Sequence, residues 1–208
     1  MKFGHQTNSR GVVGSPVGVT SIKDLFYLAN GDMEAAVREI AEAGYTGVEL
    51  FDGNLLEYPR GAEALQSLLA ELRAHLVAVY SGANFIFPEI LGEELWRVDK
   101  AAAAAADLGA EHLVVGGGAR RAGGTTDRDY ELLGQGLDRV VDIAEKHGLA
   151  ASFHPHLGTC VESPEEVEKA MEGTRIHLCP DTAHLAAGGS DLPRLIRRYA
   201  GRIRYVHL

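Results

Sequence analysis

LAASFHPHLGTCVESPEEVEKAMEGTRIHLCPDT, residues 149–182, reads as a strand, a helix and a second strand. LAASFHPH is a short apolar run that ends in polar residues. SPEEVEKAMEG places Ser163 as an N-cap and Pro164 in the first turn, and stops on a glycine. RIHLCPDT is again a run of strand formers. A strand that feeds a helix and then another strand implies parallel pairing with a crossover connection.

The same unit recurs on both sides. Toward the N-terminus, KFGHQT is a weak first strand, DMEAAVREIAEAG a helix, GVELF a strand, GAEALQSLLAELRAH a helix and LVAVYSG a strand. GEELWRVDKAAAAAADLG follows as an alanine-rich helix suited to close packing on a sheet, then HLVVGGG as a strand and TDRDYELLGQGLDRVVDIAEKHG as a helix. Toward the C-terminus, DLPRLIRRYAG is a helix and IRYVHL a strand. This rhythm predicts seven strands and six helices in one domain over residues 1–208. A doubly wound sheet is compatible with it, but the even spacing fits a (β/α)8 TIM barrel better. Such barrels typically need about 250 residues. The expectation is therefore a barrel whose eighth β/α unit is missing from the sequence, with strands one and seven each unpaired on one side.

Composition bounds the function. The 208 residues are 46% hydrophobic and carry a formal charge of −9, which disfavours a nucleic-acid partner. No apolar run approaches the roughly 20 residues of a membrane helix. MKFGHQTNSRG lacks an apolar signal core. A cytoplasmic protein with reduced Cys160 and Cys179 is expected.

In a barrel, chemistry gathers at the C-terminal ends of the strands. Glu49 ends strand two, Ser81 strand three, and GGGARR (116–121) follows strand four. His154 and His156 end strand five, Asp181 and His184 strand six, and His207 strand seven. His154 and His156 are two apart, so on a strand they share a face. Two histidines on one face near an aspartate point to a metal or catalytic role. Asp181 follows a buried-type run, where a carboxylate needs a partner; a cation is one, and a helix N-cap role is the alternative. Glu49 is grouped with the catalytic candidates, or else pairs with a lysine or arginine. GGG fits close backbone approach as well as a phosphate cradle, and Arg120 and Arg121 leave an anionic substrate open. His75, His112, His147 and His177 fall at the opposite end and read as structural.

IAEAGYTGVELF (40–51), AEKHGLAASFHPHLGT (144–159), LCPDTAHLAAGGSD (178–191) and RIRYVHL (202–208) together resemble the xylose isomerase-like barrel superfamily, and within it the inosose dehydratases. The resemblance implies a divalent metal held by acids after strands five, six and eight and a histidine after strand seven. Asp181 and His207 match that pattern. His154 stands where the strand-five acid usually is, and no residue of the sequence supplies the strand-eight position. His156 matches a histidine beside the metal, and His184 one that contacts substrate. Imidazole-rich ligation favours Mn²⁺ or Co²⁺, with Zn²⁺, Fe²⁺ or Mg²⁺ as alternatives. The implied activity is isomerisation, epimerisation or dehydration of a sugar or keto-polyol by proton abstraction beside a polarised carbonyl, with dehydration favoured by the His154 departure. Two other readings stand: a non-catalytic barrel that binds a sugar or a partner, and an abasic-site endonuclease, which the acidic charge opposes. A homo-oligomer is left open.

Overall fold

The computed structural model describes residues 2–7, 27–29 and 31–208. Six strands form one parallel sheet: β1 (Gly4–Gln6), β2 (Gly47–Phe51), β3 (His75–Ala83), β4 (His112–Gly117), β5 (Ala150–His154) and β6 (His177–Leu178). Each strand pairs with the next in sequence, from β1 to β6. A doubly wound sheet reverses its strand order at a switch point. This order never reverses, so the winding is that of a barrel.

Helices fill the connections: α1 (Met33–Glu42), α2 (Asp52–Leu56), α3 (Ala62–Leu72), α4 (Pro88–Asp107), α5 (Asp127–Lys146), α6 (Pro164–Glu172), α7 (Thr182–Ala187) and α8 (Leu192–Tyr199). The six helices expected from periodicity all form. The short α2 and α7 are additions, each starting at a strand's C-terminal end. Local chemistry sets the boundaries. Ser163 and Glu166 close a reciprocal capping box at the start of α6, and Thr126 and Asp129 do the same for α5. Asp32 caps α1, whose buried Met33, Ala36, Val37 and Ile40 recur at helical spacing. The alanine run of α4 behaves as expected: Ala101, Ala102 and Ala105 are buried and let the helix lie close on the sheet.

The central strands are apolar on both faces, as parallel strands covered by helices should be. Val48, Leu50, Leu76, Val79, Leu113, Val114 and Val115 have no exposed surface. Fully burying each such side chain contributes about 1.5–3 kcal/mol relative to exposure. Helices α5 and α6 meet where α5 has Gly134, whose added Cβ would lie 2.3 Å from the Gly173 carbonyl oxygen. No helix among the described residues is long and apolar enough to cross a membrane.

The expected seventh strand does not form as a strand. Residues 203–208 run beside β6 through two isolated parallel bridges, Leu178 with Ile203 and Asp181 with His207. Pro180 is the reason. It has no N–H to donate, so the pairing breaks between the two bridges; at the second, the His207 N–H donates to the Pro180 carbonyl (3.0 Å) and the Thr182 N–H to the His207 carbonyl (3.1 Å). β6 correspondingly spans two residues, and Asp181 caps α7 instead of ending a strand. Among the described residues, β1 pairs with β2 alone.

Candidate functional site

β5 delivers His154 at its last residue, where Pro155 then turns the chain out of the sheet. His156 thus lies just beyond the strand. The loop that carries it is tied down: the His156 N–H donates to the Val161 carbonyl (3.2 Å), and the Thr159 hydroxyl to the His156 carbonyl (2.7 Å). Asp181 has two jobs at once. Its Oδ1 accepts the His184 N–H (2.9 Å) and caps α7. Its Oδ2 is left pointing at imidazoles: His154 Nε2 at 3.4 Å, His184 Nε2 at 3.9 Å and His207 Nδ1 at 3.9 Å. The N-cap role that the sequence offered is filled, and the same carboxylate also faces the imidazoles.

His154, Asp181 and His207 present one donor atom each, all within 4.8 Å of one another. His154 is 2% exposed, and burial pushes its imidazole down to about 4, against the pull of Asp181, so the ring is neutral at neutral pH. Burial alone would raise the Asp181 carboxyl. Hydrogen bonds from His154 and the His184 N–H outweigh it and hold Asp181 well below the usual carboxylate range. For His207, burial is outweighed in the other direction by Glu49, and its imidazole is raised.

His156 and His184 flank this trio, with ring centroids 3.7 Å apart. His156 Nδ1 lies 2.7 Å from the Leu157 carbonyl, which can only accept, so Nδ1 carries the proton and Nε2 is the basic nitrogen. Glu49 sits deeper, 2% exposed, and its partners are an amide and an imidazole in place of the lysine or arginine that the sequence offered. It accepts from the Gln6 amide (2.5 Å) and lies 3.2 Å from His207 Nε2.

Ser81 does not join the cluster. Its hydroxyl donates to Asp52 (2.7 Å), on the side of the sheet where Arg97 of α4 approaches Asp52 at 3.8 Å. The neighbouring Tyr80 faces the cluster in its place. Its hydroxyl is 3.5 Å from His154 Nδ1 and its ring stacks beside His207 at 6.2 Å. Period-two alternation is the signal that points to it, since one face of β3 must carry Tyr80 and the other Ser81. Arg120 and Arg121 are committed locally. Arg120 donates to the Thr159 carbonyl and pairs with Glu162. Arg121 pairs with Asp129 and donates to the Ile86 carbonyl. His75, His112 and His177 begin strands and His147 caps α5, away from the cluster end.

The family profile described as "Xylose isomerase-like TIM barrel" matches residues 37–208. An inosose dehydratase from Geobacillus kaustophilus (strain HTA426) is 34% identical over 191 residues, covering 84% of this chain and 61% of the relative. An inosose dehydratase from Bacillus thuringiensis (strain Al Hakam) is 30% identical over 195 residues, covering 86% of this chain and 64% of the relative. The chain thus spans somewhat over three fifths of the length of these relatives. Among solved structures, a probable 3-DHS dehydratase from Bacillus anthracis superposes with a TM-score of 0.76 at 13% identity, over 100% of this chain and 73% of that one.

Proposed function

The chain belongs to the xylose isomerase-like TIM barrel family, and from that premise we propose that it carries the metal-dependent site of a lyase that removes water from a keto-polyol of the inosose type. The observation that carries this reading is the convergence of His154, Asp181 and His207 on one point at the C-terminal end of the sheet. At normal ligand distances of about 2.0–2.2 Å, donor atoms around one ion stand about 3–4 Å apart, so the observed separations suit a single cation. Two imidazoles and a carboxylate favour Mn²⁺ or Co²⁺, with Fe²⁺ and Zn²⁺ next and Mg²⁺ last. When bound, such an ion supplies Lewis acidity that makes the C–H beside a ketone more acidic.

The chain's own residues supply the proton transfers. His156 Nε2 and His184 are the bases nearest the cluster that no short side-chain hydrogen bond occupies. One imidazole takes the proton from the carbon beside the ketone. The electron pair left behind forms a carbon–carbon double bond as the bond to the β-hydroxyl breaks. The second imidazole, protonated, donates to the departing oxygen, and water leaves. His154 in place of an acid leaves a single carboxylate among the three donors. That removes the two-carboxylate arrangement an epimerase would use and supports elimination.

The test is direct. Purified protein is analysed for metal, stripped, reloaded with Mn²⁺ or Co²⁺, and incubated with an inosose. We expect one ion per chain and a product lighter by one water. A protein that binds no divalent ion, or that binds one and inverts the substrate without losing water, overturns the proposal.

A further inference from the structure

We propose that Glu49 is a positioning residue that fixes the tautomer of His207, so that Nδ1 is the nitrogen His207 turns toward Asp181. This rests on the reading of His207 as a metal ligand. It changes the part Glu49 plays, from a group that meets substrate to one that stands behind a ligand.

The argument starts from where each atom points. His207 Nε2 lies 3.2 Å from the Glu49 carboxylate, and its Nδ1 lies 3.9 Å from Asp181 Oδ2. The two nitrogens of one ring therefore face two carboxylates on opposite sides. The Glu49 carboxylate is buried and ionic in character, and the Gln6 amide donates to its other oxygen. A carboxylate among donors receives a proton-bearing nitrogen best, so Nε2 carries the hydrogen and Nδ1 keeps its lone pair for the cluster. A ligating histidine whose other nitrogen donates to a carboxylate is held in both tautomer and ring orientation.

The backbone supports this placement. The β2–β3 register slips by one residue at Glu49. Val48 pairs with Leu76 and Glu49 with Ala78, which leaves Val77 unpaired between them. Irregularities of this kind re-aim side chains next to sites. Gln6 and Glu49 are direct partners in the β1–β2 ladder, so the amide that braces Glu49 is set by strand register. The contact from Glu49 to His207 joins β2 to the segment after α8, whose backbone bridges run to the β6 side of the sheet. Through it, the sheet's first half holds a ligand carried by the chain's last residues.

The experiment compares wild type with Glu49→Gln and Glu49→Leu by two readouts. The first is the imidazole tautomer of His207 from nitrogen chemical shifts in metal-free protein. The second is affinity for Mn²⁺ alone. Glutamine keeps an acceptor for Nε2–H. It should preserve the tautomer, hold Mn²⁺ within about tenfold of wild type, and keep most turnover. Leucine removes the acceptor. It should mix the tautomers and weaken Mn²⁺ binding by roughly 10–100-fold. Unchanged affinity in the folded leucine variant, or a wild-type proton on Nδ1, overturns the proposal. So does a glutamine variant that keeps its metal and loses turnover, since that marks a group acting on substrate. A wild type that binds no Mn²⁺ refutes the proposed function, while the tautomer comparison still decides the role of Glu49.

Discussion

His156 and His184 lie ring against ring, centroids 3.7 Å apart with planes tilted by 42°. Two positive charges at about 4 Å repel by about 4 kcal/mol at an effective dielectric of 20. Burial, then His156, push the His184 imidazole below its ordinary value. One charged and one neutral ring side by side is the state that elimination needs. His156→Ala and His184→Ala should each cut turnover by roughly 10²–10⁴-fold and leave Mn²⁺ affinity almost unchanged. Steady-state kinetics beside a metal titration checks this, and unchanged turnover in both variants would remove the pair from the mechanism.

Asp52 gives a pH dependence with a definite sign. It is fully buried, and burial pushes its carboxyl up to about 6, against the pull of Ser81 and Arg97. A group whose folded pKa is raised contributes stability that is fully present below its unfolded value and lost as pH rises through the folded one. The window here runs from about 4 to 6, and the loss is about 3 kcal/mol at most. Asp52→Asn cannot ionise. The stability of wild type relative to this variant should fall between about pH 4 and 6.5 and stay level above that, as read from urea unfolding at each pH. A flat difference would mean that the Arg97 contact compensates fully for burial.

Asp181 allows its two roles to be separated. Asparagine is as good an N-cap as aspartate, so Asp181→Asn should keep the α7 cap and lose metal-free stability only through the carboxylate's pairing with His154. It lacks the anionic oxygen, so the stabilisation that metal brings should largely vanish. For wild type that stabilisation is about 2.7 kcal/mol when free metal is about 100 times its Kd. Asp181→Ala should lose the metal effect too, and about 1 kcal/mol more metal-free stability than Asp181→Asn, which is the cap's share. Thermal unfolding with and without Mn²⁺ measures both. A metal-dependent shift that survives in Asp181→Asn would place the ion elsewhere.

These contrasts mark what a sequence can and cannot reveal. Strand–helix alternation, the Ser163 cap and His154 at the end of β5 are local signals, and the structure has them where periodicity and capping chemistry put them. The last strand is the exception, because strand-forming residues such as Ile203, Tyr205 and Val206 do not make a ladder without a partner able to donate. Pro180 in the facing segment withholds that donor. The partner of Glu49 is illegible for a different reason. His207 is 158 positions away, and no composition rule singles out an imidazole over the many available cations. Ser81 attracts attention because it is polar, whereas the alternation of β3 turns the larger, mostly apolar Tyr80 toward the cluster.

Tyr80 and Gly116 provide the last test, because one leaves room for the other. Gly116 pairs with His154 in the β4–β5 ladder, and a Cβ on it would lie 2.3 Å from the Tyr80 hydroxyl oxygen and 3.1 Å from the ring carbon that bears it. The hydroxyl occupies the space a side chain would fill, and from there it reaches within 3.5 Å of His154 Nδ1. Gly116→Ala must push the phenol aside in a fully buried setting. Overpacking of this kind costs about 1–3 kcal/mol. The displaced phenol should also disturb His154 and weaken Mn²⁺ binding. Tyr80→Phe removes the clashing oxygen, so its own modest cost should not add to that of Gly116→Ala. The double variant should recover at least about 0.5 kcal/mol relative to the sum of the singles, which is the scale of coupling between residues in contact. Urea unfolding of the four proteins in the cycle measures this. Strict additivity would mean that the alanine is accommodated by the strand backbone and that the Tyr80 hydroxyl has no part in setting the glycine.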